Sequence, residues 1–373
     1  MEKRVINICD VCEEIFAGGD APKDRFSETK TDDFSVPIYS NGEANSGLYG
    51  YTNFSRVNVP SITVSARGTI GYTTIRHEPF VPIVRLITLV PKTDVIDINY
   101  LYYATQNYKF VNNGTSIPQL TVPMLKRYSF PLPSMEQQKK IADEFDKVTV
   151  LIDKRKKQLE KFDELVKARF VELFGTIHDN KFGYEIKTLQ DVCEQIKDGT
   201  HQTPTYTDDS VNGYKFLSSK DVTTGKIDWT HLKYIPEELH NELYARITPK
   251  KGDILLAKNG TTGIAAIVDR DEIFDIYVSL ALLRPIEINS VYLWAAINSV
   301  ETKQQFDSSL KGIGVPNLHL GEIKKARIIV PAIELQNQFA AFVEQTDKSK
   351  LEVQKSLEKL EVLKKALMQK YFG

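Results

Sequence analysis

The 373-residue chain has few cysteines, no long apolar run and almost no net charge. Its apolar stretches, such as FPLPSM and IIVPAI, are far shorter than the roughly 20 apolar residues that a membrane-spanning helix requires. The N-terminal MEKRVINICD has no apolar core of the kind found in secretory signals, so we expect a cytoplasmic protein. The net charge of −1 provides no overall positive field for nucleic acid, although basic groups could still gather on one face.

Three cysteines in a chain of this size do not suggest a disulfide framework. Cys9 and Cys12 form a CxxC pair, but no second CxxC follows and the six histidines show no ligand spacing, so we expect no metal. Enzyme signatures are also missing: we find no P-loop, no NPPY-type methyltransferase motif, no glycine-rich cofactor loop and no clear nuclease cluster. We therefore expect no catalytic residue.

What the chain does contain is an internal repeat. The offset between matching segments grows from 181 residues, between Asp10 and Asp191, to 198 residues, between Gly114 and Gly312, and is then constant. Loops accept insertions, whereas an inserted residue in a packed helix rotates its apolar face by about 100°. The sequence thus predicts a tandem duplication of a variable part and a helical part. The matching segments are DVCEEIFAGG and DVCEQIKDG, RGTIG and NGTTG, GTSIPQL and GIGVPNL, PSMEQQ and PAIELQ, and the FG endings at Gly175 and Gly373.

The part with constant offset predicts one long helix in each half. Ser134 and Gln137 form a capping-box pattern after Pro133, and Gly175 supplies a stop. Apolar residues recur at alternating steps of four and three over about five heptads, as in a coiled coil. They are Ile141, Phe145, Val148, Ile152, Leu159, Phe162, Val166 and Leu173, interrupted by Arg155 and Arg169, and Phe339, Val343, Val353, Leu357, Leu360, Leu367 and Tyr371, interrupted by Thr346, Lys350 and Lys364.

We predict an α+β fold in which two mixed domains, 1–132 and 180–330, are joined by two long coiled-coil helices, 133–175 and 331–373. Neither helix can bury its apolar stripe alone, so each is the natural partner of the other. A domain of about 150 residues would have difficulty bridging the full helix length, which favours an antiparallel pair with a pseudo-two-fold axis. The domains carry β-type runs at SITVSA, FVPIVRLITLV, DILLA and AAIV, and helical patterns at NYLYYATQNYKF and VYLWAAINSVETKQQF.

A helix pair of this kind, about 50 Å long, matches roughly 15 base pairs of duplex DNA, so two readers on such a spacer fit a split site. The order of elements, with P-x-x-E-x-Q helix starts and FG endings, resembles the specificity subunit of a type I restriction–modification system. IKDGTHQTP, GDILLAKNGTTG and GVPNL resemble that family's recognition-domain landmarks. The first domain departs from the pattern, because ITVSARGTIG lacks the usual GD and GGDAPKDRF replaces DGTHQTP.

The resemblance implies two target-recognition domains that each read one half of an asymmetric DNA sequence, with helices that set the unread spacer. It also implies partners: double-stranded DNA, two methyltransferase subunits docked on the helices and, in some systems, restriction subunits that translocate and cleave DNA. S-adenosylmethionine, and ATP with Mg, would be bound by those partners and not by this chain. The architecture alone also allows a two-headed protein-binding scaffold, which would not need the steep salt dependence of DNA binding.

Candidate DNA contacts are polar and basic side chains on glycine-containing loops, because donors and acceptors read bases and basic or small polar groups hold phosphates. Alternatively, GTIG and GTTG are simple turns and the basic residues are solvated surface. The candidates are Ser40, Asn41, Arg67, Thr69, Arg76, Asn113, Thr115 and Gln119 in the first domain, and Thr200, His201, Thr203, Ser219, Lys220, Lys258, Asn259, Lys311 and Asn317 in the second.

Three apolar residues of the first helix lie outside its internal stripe: Leu151, Leu165 and Phe170. We predict that they contact a partner subunit. The alternative is that they only widen the stripe that faces the second helix.

Overall fold

The computed structural model describes residues 4–110, 118–310 and 316–373. The chain divides into two compact units. The first comprises Met1–Lys156 with Gln354–Gly373, and the second comprises Lys157–Val353. Each unit therefore contains part of both long helices. In the described part of the chain, no helix is both long enough and apolar enough to cross a membrane.

Short runs rich in β-branched and aromatic residues form the strands of the first unit. They are β1 (Val5–Asn7), β2 (Cys12–Ala17), β3 (Val36–Tyr39), β4 (Leu48–Thr52), β5 (Ser61–Val64), β6 (Thr73–Arg76), β7 (Val81–Pro82), β8 (Ile87–Pro91) and β9 (Ser129–Pro131). An antiparallel sheet has the order β2-β8-β5-β6, and a second sheet has the order β4-β3-β7, in which β3 and β7 are parallel. Strand β1 pairs with β9.

The helices that begin in the first unit are α1 (Ile8–Val11), α2 (Ile98–Gln106), α3 (Val122–Leu125) and α4 (Met135–Phe174). Asp97 caps α2, because its carboxylate accepts the backbone N–H groups of Asn99 and Tyr100, both at 3.0 Å. The buried face of α2 packs on β5 and β6 and presents Tyr100 to the main core of the unit.

The second unit repeats this strand order. Its strands are β10 (Glu185–Thr188), β11 (Cys193–Asp198), β12 (Tyr214–Leu217), β13 (Lys233–Ile235), β14 (Ile254–Ala257), β15 (Ala265–Ile267), β16 (Phe274–Ile276), β17 (Leu280–Pro285) and β18 (Arg327–Val330). The antiparallel sheet has the order β11-β17-β14-β15 and the mixed sheet the order β13-β12-β16, with β12 and β16 parallel. Strand β10 pairs with β18.

The helices that begin in the second unit are α5 (Glu237–Arg246), α6 (Ser290–Ile297), α7 (Val300–Ser309), α8 (Leu320–Lys325) and α9 (Ile333–Phe372). Asn289 caps α6 as Asp97 caps α2, by accepting the N–H groups of Val291 and Tyr292. Both α4 and α9 span 40 residues, so the two predicted long helices are confirmed. The predicted cap is present, since the Ser134 hydroxyl accepts the Gln137 N–H at 3.4 Å.

The long helices run antiparallel within each unit. In the first unit, the Glu144 carboxylate of α4 accepts the hydroxyl of Tyr371 in α9 at 2.8 Å, and Lys156 lies 4.0 Å from Glu361. Residue numbers therefore fall along α9 as they rise along α4. In the second unit, Lys350 of α9 donates to Asp163 of α4 at 2.5 Å.

The P-x-x-E-x-Q helix starts end in a glutamine that is only 1% exposed in each unit. The side-chain oxygen of Gln138 accepts the Asp97 N–H at 2.8 Å, while its amide donates to the carbonyls of Val95 and Pro133. Gln336 accepts the Asn289 N–H at 2.9 Å in the same way. Each glutamine thus ties the start of a long helix to the cap of a domain helix.

The FG endings also have a packing role. The ring of Phe372 lies 5.1 Å from that of Tyr100 in the first unit, and the ring of Phe174 lies 4.7 Å from that of Tyr292 in the second. Tyr100 in turn donates its hydroxyl to the Pro131 carbonyl at 2.6 Å. The core of each unit is therefore completed by the end of the long helix that began in the other unit.

Two predicted segments are each divided in the structure. The β-type run FVPIVRLITLV is confirmed as two strands, β7 and β8, because Val84 and Arg85 between them adopt positive φ angles of 51° and 64° and turn the chain. VYLWAAINSVETKQQF forms two helices, because Ser299 leaves the helical conformation and caps α7 by accepting the Thr302 N–H at 3.3 Å. The helix predicted at NYLYYATQNYKF is confirmed as α2, which ends at Gln106.

Candidate nucleic-acid interface

In the second unit, the loop after β11 passes very close to the end of β16. A Cβ atom added to Gly199 would lie 2.3 Å from the carbonyl oxygens of Ile276 and Tyr277, so only glycine fits there. The next residue, Thr200, donates its N–H to the Ile276 carbonyl at 2.9 Å. Thr200 is buried, so this predicted DNA contact shapes the loop from inside.

A buried ion pair lies beneath the same loop. The Lys258 ammonium donates to Oδ1 of Asp198, and the two side chains are 5% and 16% exposed. Oδ2 of Asp198 lies 3.7 Å from Nε2 of the exposed His201. Lys258, which the sequence predicts as a DNA contact, therefore has its charge inside the unit, while His201 is held at the surface.

The landmark loop NGTTG meets the described end of the GVPNL landmark, from Pro316 onward, at this surface. Asn259 forms an isolated bridge with Asn317, and the Lys258 carbonyl accepts the Leu318 N–H at 2.8 Å. Asn259 is half-buried and Asn317 is exposed. A side-chain amide carries both a donor and an acceptor, which is the combination that reads the major-groove edge of adenine.

A third loop joins the same cluster. The Ser219 N–H donates to the Ser279 hydroxyl at 3.0 Å, and the Ser279 carbonyl accepts the Lys258 N–H at 2.8 Å. Lys220 and Thr203 are exposed. The second unit thus places several of the predicted contacts on adjoining loops: Thr200, His201, Ser219, Lys258, Asn259 and Asn317.

The first unit has the corresponding close approach at Gly18, where an added Cβ would lie 2.6 Å from the Pro82 carbonyl. The next turn is held by two backbone bonds, from Val84 to the Gly19 carbonyl at 2.7 Å and from Arg85 to the Gly18 carbonyl at 3.0 Å. These bonds support positive φ angles at Val84 and Arg85, each of which costs about 1–3 kcal/mol for a residue other than glycine.

Asn41 connects this turn to the ITVSARGTIG loop. Its amide donates to the Val84 carbonyl and its oxygen accepts the Ala66 N–H, both at 2.7 Å. Asn41 therefore holds two loops together in this structure. Ser40 beside it is half-buried, and Thr69 at the loop tip is exposed.

Two arginines donate hydrogen bonds to one glutamine beside the ITVSARGTIG loop. Arg67 donates to Oε1 of Gln119 through Nε at 3.2 Å and Nη2 at 2.8 Å, and Arg85 donates to the same oxygen at 3.4 Å. The sequence prediction includes Arg67 and Gln119 but misses Arg85. One sequence feature could have identified Arg85: it is the only charged residue in the run FVPIVRLITLV.

Arg76, also predicted to contact DNA, is only 5% exposed and is bonded inside the unit. Its guanidinium lies 3.6 Å from the ring centroid of Tyr39 and donates to the Thr63 hydroxyl at 3.1 Å and the Ser46 carbonyl at 2.6 Å. Burial lowers the Arg76 pKa, and a hydrogen bond from Tyr39 lowers the pKa of the Glu78 carboxyl. Arg76 therefore braces the loop from within instead of presenting its charge to solvent. The remaining predicted contacts, Asn113, Thr115 and Lys311, lie outside the described residues.

The predicted partner-contact residues of α4 separate into two groups. Leu151 and Leu165 are 44% and 48% exposed. Phe170 instead stacks on Tyr292 at 5.6 Å and packs edge-on against Phe339 at 5.5 Å, so it belongs to the core of the second unit. The long helices also expose apolar residues that the sequence analysis misses: Val150, Val171, Leu351, Val362 and Leu363.

Comparison with protein families gives one match over most of the chain. The model of the type I restriction modification DNA specificity domain matches residues 2–161 and 182–364. A Mycoplasma pneumoniae protein described as a type I specificity subunit, S.MpnORF89P, is 34% identical over 176 residues, which are 44% of this chain and 52% of that protein. The match thus spans about half the length of that relative. The specificity subunit of the Escherichia coli type I restriction enzyme EcoBI is 24% identical over 91% of this chain and 77% of its own length.

Two solved structures resemble the chain over nearly its whole length. The S subunit of a type I restriction–modification system from M. genitalium covers 99% of this chain and 96% of its own, with a TM-score of 0.59 and 17% identity. A chain from a structure that concerns complex assembly and conformational transition of the type I R-M system covers 99% and 97%, with a TM-score of 0.61 and 15% identity. At these sequence identities, the structural similarity establishes a shared fold.

Proposed function

The chain belongs to the family of type I restriction–modification DNA specificity proteins, whose members are non-catalytic recognition components, and from this premise we propose that it binds a split, asymmetric DNA target. Each mixed domain, 1–132 and 180–330, would read one half of the target. The helices 133–175 and 331–373 would set the length of the unread gap.

Both units use the same backbone contacts between loops but place different side chains beside them. This observation is the main support for two different half-sites. The carbonyls of Ala66 and Lys258 accept corresponding N–H groups, from Leu120 at 2.9 Å and from Leu318 at 2.8 Å. Next to these matched bonds, the first unit has Arg67 and Gln119, and the second unit has Asn259 and Asn317. Shared loop geometry with divergent side chains supports duplicated domains whose DNA contacts differ.

The exposure of each side chain separates residues that would contact DNA from residues that would support the loops. We assign direct contact to exposed or half-buried side chains, and we assign support of the loops to Thr200, Lys258 and Arg76, which are buried. The direct group is Ser40, Thr69, Arg67, Gln119, His201, Thr203, Ser219, Lys220, Asn259 and Asn317. Asn41 belongs with the supports, since both polar atoms of its side chain hold backbone groups.

Two methyltransferase subunits would dock on the long helices, through apolar side chains that the chain leaves exposed. The exposed apolar side chains are Val150, Leu151 and Val362 in the first unit and Leu165 and Val171 in the second, on helices that otherwise carry many charges. The S-adenosylmethionine needed for methylation, and the ATP with Mg needed by any restriction subunit, would be held by those partners.

The test is to co-express the chain with the methyltransferase encoded nearest to it and to map methylated adenines in the host genome. A split motif with a fixed gap, absent when this chain is deleted, is the expected result. Exchange of residues 180–330 for the equivalent domain of a relative should then change one half of the motif only. An active methyltransferase without any split motif would instead favour the protein-binding scaffold.

A further inference from the structure

We propose that Arg67, Arg85 and Gln119 form a clamp for one phosphate group of the DNA backbone. We refer to these three residues as the arginine clamp. The proposal rests on the DNA-binding function proposed above and adds a contact, through Arg85, that neither the motifs nor the family resemblance indicates.

The clamp gathers positive charge around a neutral group. Two guanidinium groups lie within 3.4 Å of the same amide oxygen, Oε1 of Gln119. Among the ion pairs formed by the described residues, none includes Arg67 or Arg85. An amide oxygen does not neutralise two adjacent cations, whereas a phosphate has a full negative charge and several acceptor oxygens. A phosphate therefore fits both the charge and the N–H donors of the two guanidinium groups.

The backbone that carries Arg85 is strained in a way that favours a functional role. Val84 and Arg85 both adopt positive φ angles, and the turn is closed by the Leu86 N–H, which donates to the Ile83 carbonyl at 3.0 Å. Strain of this kind is concentrated at functional sites, because it persists only where the surrounding contacts enforce it.

The second unit provides an internal comparison. Its corresponding turn is closed by the Leu280 N–H, which donates to the Tyr277 carbonyl at 2.8 Å, and Ser279 occupies the position of Arg85. In the described chain, the residues with positive φ do not include any in this second turn. The strained backbone and the arginine thus occur together, in one unit only.

Hydrogen bonding distinguishes a phosphate from a base as the ligand. Gln119 occupies the Nε and Nη2 side of the Arg67 guanidinium, which keeps the N–H groups at its Nη1 and Nη2 tip for a ligand that it shares with Arg85. Donors that converge from two residues suit the oxygens of one phosphate better than the edge of one base.

The experiment measures the salt dependence of DNA binding by the complex of this chain with its methyltransferase subunits, on duplexes with and without the methylated motif. Arg67→Gln and Arg85→Gln should each reduce the slope of log K against log salt, and the double variant should reduce it by about 0.9 in all, on both duplexes. Arg85→Lys keeps a point charge and should retain most of the slope. Arg25→Gln removes the same charge from an exposed site in the first unit, where the guanidinium lies over Phe54, and should leave the slope unchanged.

A second variant separates DNA binding from folding. Gln119→Glu would hold both guanidinium groups more firmly while cancelling one of their charges, so DNA affinity should fall while thermal stability is kept or raised. Unchanged DNA affinity in Gln119→Glu, together with unchanged slopes in the arginine variants, would show that the cluster serves folding alone. A methylation motif altered at one base position in Arg85→Gln would assign the cluster to base reading and reject the phosphate. If the wild-type complex bound no split motif, the proposed function itself would fail.

Discussion

The side-chain oxygen of Gln138 accepts the backbone N–H of Asp97 at 2.8 Å, and this single bond joins the first turn of a long helix to the cap of a domain helix. Gln336 makes the same bond to Asn289 at 2.9 Å. The glutamine that ends each P-x-x-E-x-Q motif therefore links the start of a long helix to the domain helix beside it.

Gln138→Ala should destabilise the first unit by about 3 kcal/mol, because it leaves the Asp97 N–H and the carbonyls of Val95 and Pro133 without their partner. Hydrogen exchange should show faster exchange in α2 and unchanged exchange in α6, with the reverse pattern in Gln336→Ala. Gln137→Ala, at the exposed neighbouring position, is the control. Equal loss of protection in both units would contradict this role.

Asp198→Ala should cost about 3–5 kcal/mol of unfolding free energy, because it leaves the buried Lys258 ammonium unpaired. The double variant Asp198→Ala with Lys258→Ala should recover most of that loss. The fold tolerates alanine at both positions, because Ala17 and Ala66 of the first unit correspond to Asp198 and Lys258 of the second. Denaturant unfolding of the single and double variants measures the coupling, and a double variant as unstable as Asp198→Ala would refute it.

Removal of one heptad from each long helix, Lys154–Glu160 with Gln354–Leu360, should shorten the unread gap of the methylated motif by about 3 base pairs. Seven residues of helix span about 10.5 Å, and each base pair rises 3.4 Å. The contact between Lys156 and Glu361 indicates that the two deleted segments lie opposite each other, so the paired deletion preserves the antiparallel register of the remaining helices. Methylation mapping should show both half-sites unaltered, and an unchanged gap would rule out the helices as the spacer.

Leu151→Glu and Leu165→Glu should each weaken the binding of one methyltransferase subunit while the unfolding free energy changes by no more than about 0.5 kcal/mol, because both side chains are exposed. Native mass spectrometry of the co-purified complex would count the bound subunits. Phe170→Glu is the contrasting variant, since it places a charge in the core beside Tyr292 and should destabilise the chain itself. Full occupancy in both leucine variants would argue against docking at these positions.

Iodoacetamide should label Cys9 and leave Cys12 and Cys193 unlabelled in the folded chain. Burial raises the pKa of both protected thiols to about 12, so neither forms the reactive thiolate between pH 7 and pH 9, whereas Cys9 is exposed. Mass spectrometry should find one label, which Cys9→Ser removes. Rapid labelling of Cys12 would mean that the first unit opens around β2.

The long helices could be predicted from the sequence because their signals are local. The Ser134 cap, the Gly175 stop and the heptad spacing all act within one element, and the structure places α4 at Met135–Phe174. The same holds for α2, whose capping Asp97 precedes its first turn.

The side-chain roles at the candidate interface could not be predicted, because tertiary contacts decide them. Arg76 lies on a strand like a surface residue, but Tyr39, Thr63 and Ser46 enclose it. Arg85 is hidden in an apolar run, and only the turn at Val84 brings it beside Gln119. Sequence spacing describes neighbours along the chain, whereas these contacts join residues that are 13 or more positions apart.

The packing of Phe372 against Tyr100 and Phe145 has a consequence for biosynthesis. A nascent chain that has left the ribosome as far as Val353 contains every residue of the second unit, but it lacks the segment Gln354–Gly373 that completes the first. The domain translated first therefore completes its core last, when Phe372 becomes available. A frameshift late in the coding sequence would accordingly damage the core of the domain that is encoded at the start.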